Sequence, residues 1–167
     1  MKCTPCGETM RVSAGTHEYT ECGLSGILLV GVNVHVCPKC GERAVSIPSI
    51  EELHRTLARA VAEKDDRLVP QEIRFLRKQL GFSGVDFAGV MGKSPETVSR
   101  WESTTTPMDM DSSAERLLRL MVMTRNPVTE YPLDRLSRVA RSTEPAPIRL
   151  SMRHLDRDRW ATEQATA

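Results

Sequence analysis

The sequence predicts an α+β protein in which a small N-terminal β domain precedes a C-terminal all-α domain of about five helices. Three observations lead to this prediction. Two Cys-x2-Cys motifs lie within the first 40 residues, β-branched segments punctuated by glycine lie between them, and an apolar pattern of helical period begins after residue 48. A chain of 167 residues suits one domain or two small ones.

Charge and apolar content limit the classes of protein that this chain can be. The formal net charge is +1, so any surface for nucleic acid must be local. Residues 67–141 are the basic part, with 12 Lys and Arg against 9 Asp and Glu, whereas residues 1–66 have 7 against 9. The longest apolar run, residues 26–32, is far shorter than the roughly 18 residues that a membrane-spanning helix needs. No signal-peptide pattern opens the chain, so we expect a cytoplasmic protein.

The candidate metal ligands are the four cysteines of the two motifs: Cys3, Cys6, Cys37 and Cys40. A Cys-x2-Cys turn brings two thiolates to one ion at about 2.3 Å, and Zn²⁺ takes four such ligands in a tetrahedron. Gly7 and Gly41 follow the two motifs, and a residue without Cβ lets the backbone turn toward the sulfur atoms. Because protein ligands fill all four positions, we expect one structural Zn²⁺ and a zinc-ribbon-like domain over residues 1–48.

Cys22, His17 and His35 are competing ligands, but none has a partner at the spacing of the two motifs. Four buried thiols without a metal are the alternative interpretation. A disulfide framework is disfavoured, because the chain has an odd number of cysteines and the expected compartment is reducing. We therefore expect Cys22 to be a buried or half-exposed thiol and the two histidines to lie on the surface or on edge strands.

Residues 49–68 are predicted to form a connector helix and a linker. Ile50, Leu53, Leu57 and Val61 lie on one face of a helix over residues 49–63. The polar run 63–67 that follows predicts a hinge or linker.

Residues 69–141 predict an all-α domain, because Pro, Gly and Ser residues with capping preferences separate short apolar segments. Helices are expected at about 70–80, 83–91, 94–103, 112–124 and 132–140. The helix at 112–124 has more apolar residues than one core needs, which favours pairing with a second copy there or through the helix at 132–140. The tail, residues 142–167, begins with two prolines and mixed charge, so we expect partial disorder there.

Residues 83–102 have the spacing of a helix-turn-helix motif. Such a motif needs a small residue at the helix crossing, a turn residue that tolerates positive φ, and apolar anchors on the second helix. Four residues meet these needs in order: Ala88, Gly92, Val98 and Trp101. The opposite face would enter the major groove of DNA, and its candidate DNA-binding residues are Lys93, Ser94, Glu96, Thr97, Ser99 and Arg100.

These candidate DNA-binding residues have different expected roles. Arg100 is the candidate for a bidentate contact to guanine, and Glu96 can accept a hydrogen bond from cytosine N4. Lys93 and Ser94 would contact phosphate. On the preceding helix, three basic residues would add positive charge: Arg74, Arg77 and Lys78.

The order of these motifs resembles that of the YgiT-type zinc-finger/helix-turn-helix proteins, which include the MqsA-type antitoxins of toxin–antitoxin systems. The resemblance rests on two Cys-x2-Cys-Gly motifs, a helical connector and the helix-turn-helix, and it covers about residues 1–140. Residues 71–102 resemble the Cro/cI-type (XRE) class. Gly84 stands where relatives often have Gln, and Glu96 where MqsA-type proteins can have a base-reading Asn, which predicts an altered DNA readout.

The resemblance implies a homodimer joined through the C-terminal domain, which binds a palindromic double-stranded DNA operator and represses its own operon. It also implies that the N-terminal zinc domain docks a toxin protein, commonly an RNase. We therefore expect a sequence-specific transcription regulator of the MqsA-like antitoxin kind. The alternative is a zinc-dependent protein-interaction adaptor whose helix-turn-helix mainly dimerises. No Ser/His/Asp or paired-carboxylate arrangement points to an enzyme.

Overall fold

A computed structural model describes residues 1–125, 145–155 and 159–163 and has the α+β composition that the sequence predicts. The chain divides into two compact units. The β unit consists of Met1–Thr20, Ser25–Leu53 and Arg149–Ala167, and the helical unit consists of Glu21–Leu24 and His54–Ile148. Within the described part of the chain, no helix has the length and apolar character needed to cross a membrane.

The β unit is built on one mixed sheet. Its strands are β1 (Arg11–Glu18), β2 (Ile27–Val36), β3 (Arg43–Ser46), β4 (Leu150–Leu155) and β5 (Arg159–Glu163). The order is β1-β2-β4-β5, with β3 also paired to β2, and only the β2–β4 pair is parallel. Strand β1 pairs along most of one edge of β2. The other edge of β2 is therefore shared by β3, which pairs with residues 33–36, and by β4, which pairs with residues 27–30.

A bulge at Gly31 keeps the apolar residues of β2 on one face. The β1–β2 register shifts there, since Gly15 pairs with Val32 and the next residue of β1 pairs with Val30. Gly31 has φ 74°, a conformation that glycine adopts without a steric penalty. The buried positions are therefore residues 27 and 29 before the bulge and residues 32 and 34 after it. Without the extra residue, the second pair would point to the opposite face.

Two segments of the C-terminal tail, residues 150–155 and 159–163, are strands of this sheet, so the prediction of partial disorder is wrong for them. Met152 of β4 is fully buried, and Trp160 of β5 is 5% exposed. The indole Nε1 of Trp160 donates to the carbonyl oxygen of Pro48 at 3.1 Å. The two short strands could not be predicted from the sequence, because the tail has prolines and mixed charge and the strands contain few buried residues. The rest of the predicted tail from 142 to 144, 156 to 158 and 164 to 167 lies outside the described residues.

Five helices are described: α1 (Ile50–Glu63), α2 (Pro70–Gln79), α3 (Gly84–Met91), α4 (Pro95–Trp101) and α5 (Ser112–Arg125). Ser83 and Ser94 cap α3 and α4 by accepting from the backbone N–H groups of Asp86 and Thr97, at 3.1 and 3.2 Å. Gly92 ends α3 with φ 62°. The predicted helix at 132–140 lies outside the described residues.

The core of the helical unit takes one face from each helix. From α1 it includes Leu57, Ala58, Val61 and Ala62, all fully buried, as is Leu53 of the β unit. Ile50, which the sequence places on this face, is instead 40% exposed, so that part of the prediction is wrong. The buried residues of the other helices include Ile73, Phe75, Leu76, Phe87, Ala88, Val98, Trp101, Leu118 and Val122.

The polar run 63–67, which the sequence predicts to be a hinge or linker, is bonded to a buried network in the helical unit. The guanidinium of Arg119, which is fully buried, donates to the carbonyl oxygens of Ala62, Lys64 and Asp66. It also pairs with the buried carboxylate of Glu115 at 2.8 Å. Arg119 thereby satisfies one carbonyl group in the last turn of α1 and two in the residues that follow the helix.

Candidate metal centre and candidate nucleic-acid interface

Two equivalent backbone turns carry the four predicted cysteine ligands. In the first turn, the backbone N–H of Cys3 donates to the Glu8 oxygen at 2.8 Å, and that of Gly7 donates to the Cys3 oxygen at 2.9 Å. The second turn repeats both bonds, from Cys37 to Glu42 at 2.8 Å and from Gly41 to Cys37 at 3.0 Å. Both glycines have positive φ, 73° and 76°. We call these turns the knuckles, residues 1–9 and 37–42.

The four sulfur atoms of the knuckles lie in one group. The Sγ atoms of Cys3 and Cys40 are 3.5 Å apart, those of Cys6 and Cys37 are 3.5 Å apart, and those of Cys6 and Cys40 are 3.6 Å apart. All four lie within 4.8 Å of one another. In a tetrahedral site with metal–sulfur distances of about 2.3 Å, sulfur atoms are about 3.8 Å apart. The residues therefore fit one four-coordinate metal ion, with no position left for a substrate or water.

The thiols of this group differ in exposure and in acidity. Cys3 and Cys37 are each 2% exposed, Cys6 is half-buried and Cys40 is exposed. Burial raises the pKa of Cys3 to about 12. The backbone N–H of Cys40 is the main cause that lowers the pKa of Cys37 to about 6. Binding of a cation must therefore displace protons from some of the four thiols.

The competing ligands lie outside the four-cysteine group. The Nε2 atom of His35 is 2.8 Å from the Ser46 hydroxyl, and His17 lies on β1. Cys22 is half-buried in the short segment that belongs to the helical unit, where burial raises the pKa of its thiol. Within the described residues, the four predicted cysteines form the one group of three or more potential ligands.

The candidate nucleic-acid interface is formed by α3, α4 and the three residues between them. Ala88, Val98 and Trp101 are 1%, 1% and 2% exposed, so the predicted core positions face inward. Gly92 lies in the turn, where the N–H of Lys93 donates to the Ala88 oxygen at 2.9 Å. The sequence spacing thus places the apolar and turn residues where the two-helix geometry needs them.

The opposite face of α4 is solvent-exposed and carries both signs of charge. Five of the six candidate DNA-binding residues are exposed and one is half-buried: Lys93, Ser94, Glu96, Ser99 and Arg100 are exposed, and Thr97 is half-buried. The ammonium group of Lys93 lies 3.0 Å from the Asp111 carboxylate. The pKa of Glu96 is lowered, first by its own backbone N–H, then by the Ser94 hydroxyl, and further by the charge of Arg100.

Arg77 is not a surface cation, in contrast to the sequence-based prediction. Its Nε and Nη2 atoms contact the two carboxylate oxygens of Glu102 at 2.5 and 2.9 Å, and Nη1 donates to the Phe82 oxygen at 2.7 Å. Glu102 is 6% exposed and raises the pKa of Arg77. This pair ties α2 to the end of α4. Arg74, which also reaches Glu102 at 3.3 Å, and Lys78 remain exposed.

Sequence reasoning missed Glu102 as a structural residue, although its position directly after Trp101 could have indicated a partner for a basic residue on α2. Comparison of the chain with protein-family models, curated proteins and solved structures gave no match. The family resemblance therefore rests on the cysteine and helix motifs described above.

Proposed function

We propose that this protein is a zinc-containing, sequence-specific DNA-binding transcription regulator. The observation that carries the proposal is the two-helix arrangement of α3 and α4, whose inner face is buried while the outer face of α4 is polar and exposed. In a DNA-binding helix-turn-helix, the second helix enters the major groove with such a face. The XRE-like assignment from the sequence is part of the same proposal.

On this proposal, the residues of α4 read bases and the residues around it contact the backbone. Arg100 offers a planar donor fork that matches guanine O6 and N7. Glu96 is held in its ionised form, so it can accept from cytosine N4 but would repel a phosphate. Thr97 and Ser99 offer hydroxyl groups, and Arg74 and Lys78 offer positive charge to phosphates.

A dimer fits this function, because a palindromic operator needs two reading helices. On α5, Leu117 is 42% exposed and Leu120 is 46% exposed, and Met121 beside them is half-buried. These positions, three and four residues apart, lie on one face of the helix. That apolar stripe supports pairing of two copies through the helical unit.

The metal in this proposal is zinc. A tetrahedral set of four thiolates is typical of structural zinc and of some iron sites, and a closed zinc site has a structural role. The ion would hold the two knuckles together by binding cysteine thiolates from both. Within the transcription regulators, the resemblance to MqsA-type proteins favours an antitoxin whose N-terminal domain also binds a toxin.

Fluorescence anisotropy with labelled DNA tests the regulator proposal. The zinc-loaded protein is titrated against DNA from upstream of its own gene and against a scrambled duplex, at two salt concentrations. We expect tighter binding to the upstream DNA, weaker at high salt because counterions are released on binding. Arg100→Ala should reduce the affinity about tenfold or more.

The matched control removes the same charge from the other unit. Arg11 is exposed on β1, so Arg11→Ala should leave the affinity for upstream DNA within about twofold of wild type. Equal weakening by the two substitutions would mean that binding is only general charge attraction. No preference for upstream over scrambled DNA at either salt concentration would refute the proposal and favour the adaptor alternative.

A further inference from the structure

We propose that the C-terminal hairpin β4–β5 keeps the β unit folded without metal, so that metal binding orders only the two knuckles. The metal centre would then act as a local switch between order and disorder at one end of a sheet that stays folded. This inference goes beyond the proposed function, since it does not depend on DNA binding. It rests on which buried side chains of the β unit belong to the knuckles and which belong to the sheet.

The knuckles have only a very small core of their own. The buried residues packed together there are Cys3, Met10 and Cys37, with Cys6 and Ala44 partly buried against them. Three of these five side chains are metal ligands. Without an ion, that leaves two apolar side chains and a few thiols to offset the backbone entropy of two glycine-containing turns. The knuckles therefore need the metal to remain ordered.

The sheet has a different set of buried residues, and part of it comes from the hairpin. Leu29 of β2 is fully buried and lies opposite Met152 of β4 in the register. The hairpin adds Trp160, whose indole donates to the Pro48 oxygen. Its first strand is fixed further by a bond from the Leu150 N–H to the Gly26 oxygen at 3.1 Å.

Strand β1 cannot replace the hairpin in this role. None of its residues, Arg11–Glu18, is buried, although it pairs with nearly the whole length of β2. β3 adds four residues, none of them fully buried. The large buried side chains next to β2 therefore include Met152 of the C-terminal hairpin, which is not part of the four-cysteine group. This explains why the β unit needs the metal less than its N-terminal sequence alone suggests.

The metal site can also exchange its ion without opening the sheet. Cys40 is exposed and Cys6 is half-buried, whereas Cys3 and Cys37 face inward. A competing chelator can thus approach from the side of Cys40. Segment 1–47 taken by itself has few apolar residues, so we would expect all of it to unfold when the metal is removed. The hairpin changes that expectation to loss of order in the knuckles alone.

Hydrogen exchange followed by mass spectrometry tests this on the full chain, with Zn²⁺ bound and after removal of Zn²⁺ by EDTA. We expect protection to fall about tenfold or more in residues 1–9 and 37–42 and to stay within about twofold in 27–34 and 150–155. Adding Zn²⁺ back should restore the lost protection. Loss of protection across 27–34 in the wild-type protein would overturn the proposal, as would unchanged protection in the knuckles.

Met152→Ala and Leu155→Ala separate the hairpin's contribution from that of the metal. Both residues are on β4, but Met152 is fully buried and Leu155 is 38% exposed. With Zn²⁺ removed, Met152→Ala should lose protection across 27–34, whereas Leu155→Ala should behave like wild type. If Met152→Ala does not fold, Trp160→Phe is a milder substitution to test, because it removes the hydrogen-bond donor to Pro48 and keeps an aromatic side chain. If Zn²⁺ removal affects only the knuckles in both buried-site variants, the hairpin is not the support.

Discussion

Replacement of Arg119 by Met tests the buried network that fixes residues 63–67. The substitution keeps an unbranched apolar chain of similar length on α5 and removes the guanidinium. Three carbonyl oxygens, those of Ala62, Lys64 and Asp66, lose their donor, and the buried Glu115 loses one of its partners. The change is therefore the removal of one member of a fully buried, multiply bonded ion pair.

The expected loss in the free energy of unfolding depends on which polar groups stay buried without a partner after the substitution. Breaking a buried ion pair from one side costs about 3–5 kcal/mol, because the remaining charge has no full compensation. Glu115 keeps two donors, the Arg67 guanidinium at 2.6 Å and the Leu68 N–H at 3.1 Å, which reduces that cost. Each carbonyl without a partner adds about 1 kcal/mol or more, unless water reaches it. We therefore expect Arg119→Met to lower the free energy of unfolding by about 3–5 kcal/mol.

The assay must report on the helical unit alone. Trp101 lies in the helical unit and Trp160 in the β unit, so a Trp160→Phe background leaves one tryptophan as the reporter of urea unfolding. Arg59→Met is the matched control, because Arg59 forms an exposed i,i+4 pair with Glu63 at 2.9 Å. Such surface pairs contribute about 0.5 kcal/mol or less. If the two Met variants unfold within about 1 kcal/mol of each other, the guanidinium does not hold the end of α1 and the reasoning is refuted.

Other predictions concern the metal, the helix core and acid stability. Cys40→Ser should reduce bound zinc well below one ion per chain by elemental analysis, whereas Cys22→Ser should leave it unchanged; equal zinc content in both would contradict the ligand assignment. Trp101→Ala should destabilise the helical unit by about 3–5 kcal/mol in thermal unfolding, and a loss under 1 kcal/mol would mean that the indole is not a core anchor. The pKa of Asp111 is lowered, first by the Ala114 N–H, so its stabilising effect should be present at neutral pH and lost as the pH falls below about 4. Asp111→Asn should accordingly be less stable than wild type at pH 6, and this difference in stability should shrink as the pH falls below about 4; a constant difference would assign the effect to something other than this carboxylate.

Local signals in the sequence predicted much of the fold correctly. The helices from α2 to α5 begin and end within about two residues of the predicted bounds, because Ser83, Ser94 and Gly92 act through their own neighbouring backbone groups. The four cysteines whose sulfur atoms lie together could be predicted because the Cys-x2-Cys spacing is local within each pair. Such features need no knowledge of the rest of the chain.

Features that depend on distant residues were missed. The pairing of β4 with β2 joins residues more than 100 positions apart, and nothing within 150–155 identifies its partner. Glu115 and Arg119 have the i,i+4 spacing of an ordinary surface pair. Their burial depends on the carbonyl groups that end α1 far away in the sequence. The polar composition of the run 63–67 predicts a hinge or linker, and it does not show that Arg67 and the carbonyl groups of Lys64 and Asp66 contact side chains of α5.

The acidic partners of the basic residues also limit how strongly the proposed DNA interface can attract DNA. Arg77 is half-buried and paired with Glu102, and the charge of Lys93 is offset by Asp111 at 3.0 Å. Glu96 adds a negative charge to the same face of α4 as Arg100. Among the described residues, this face of α4 therefore has few uncompensated cations, and we expect its general attraction to DNA phosphates to be weak. In the proposed function, discrimination among DNA sequences by this face must then come mainly from hydrogen bonds to base edges. General charge attraction would contribute little of the affinity.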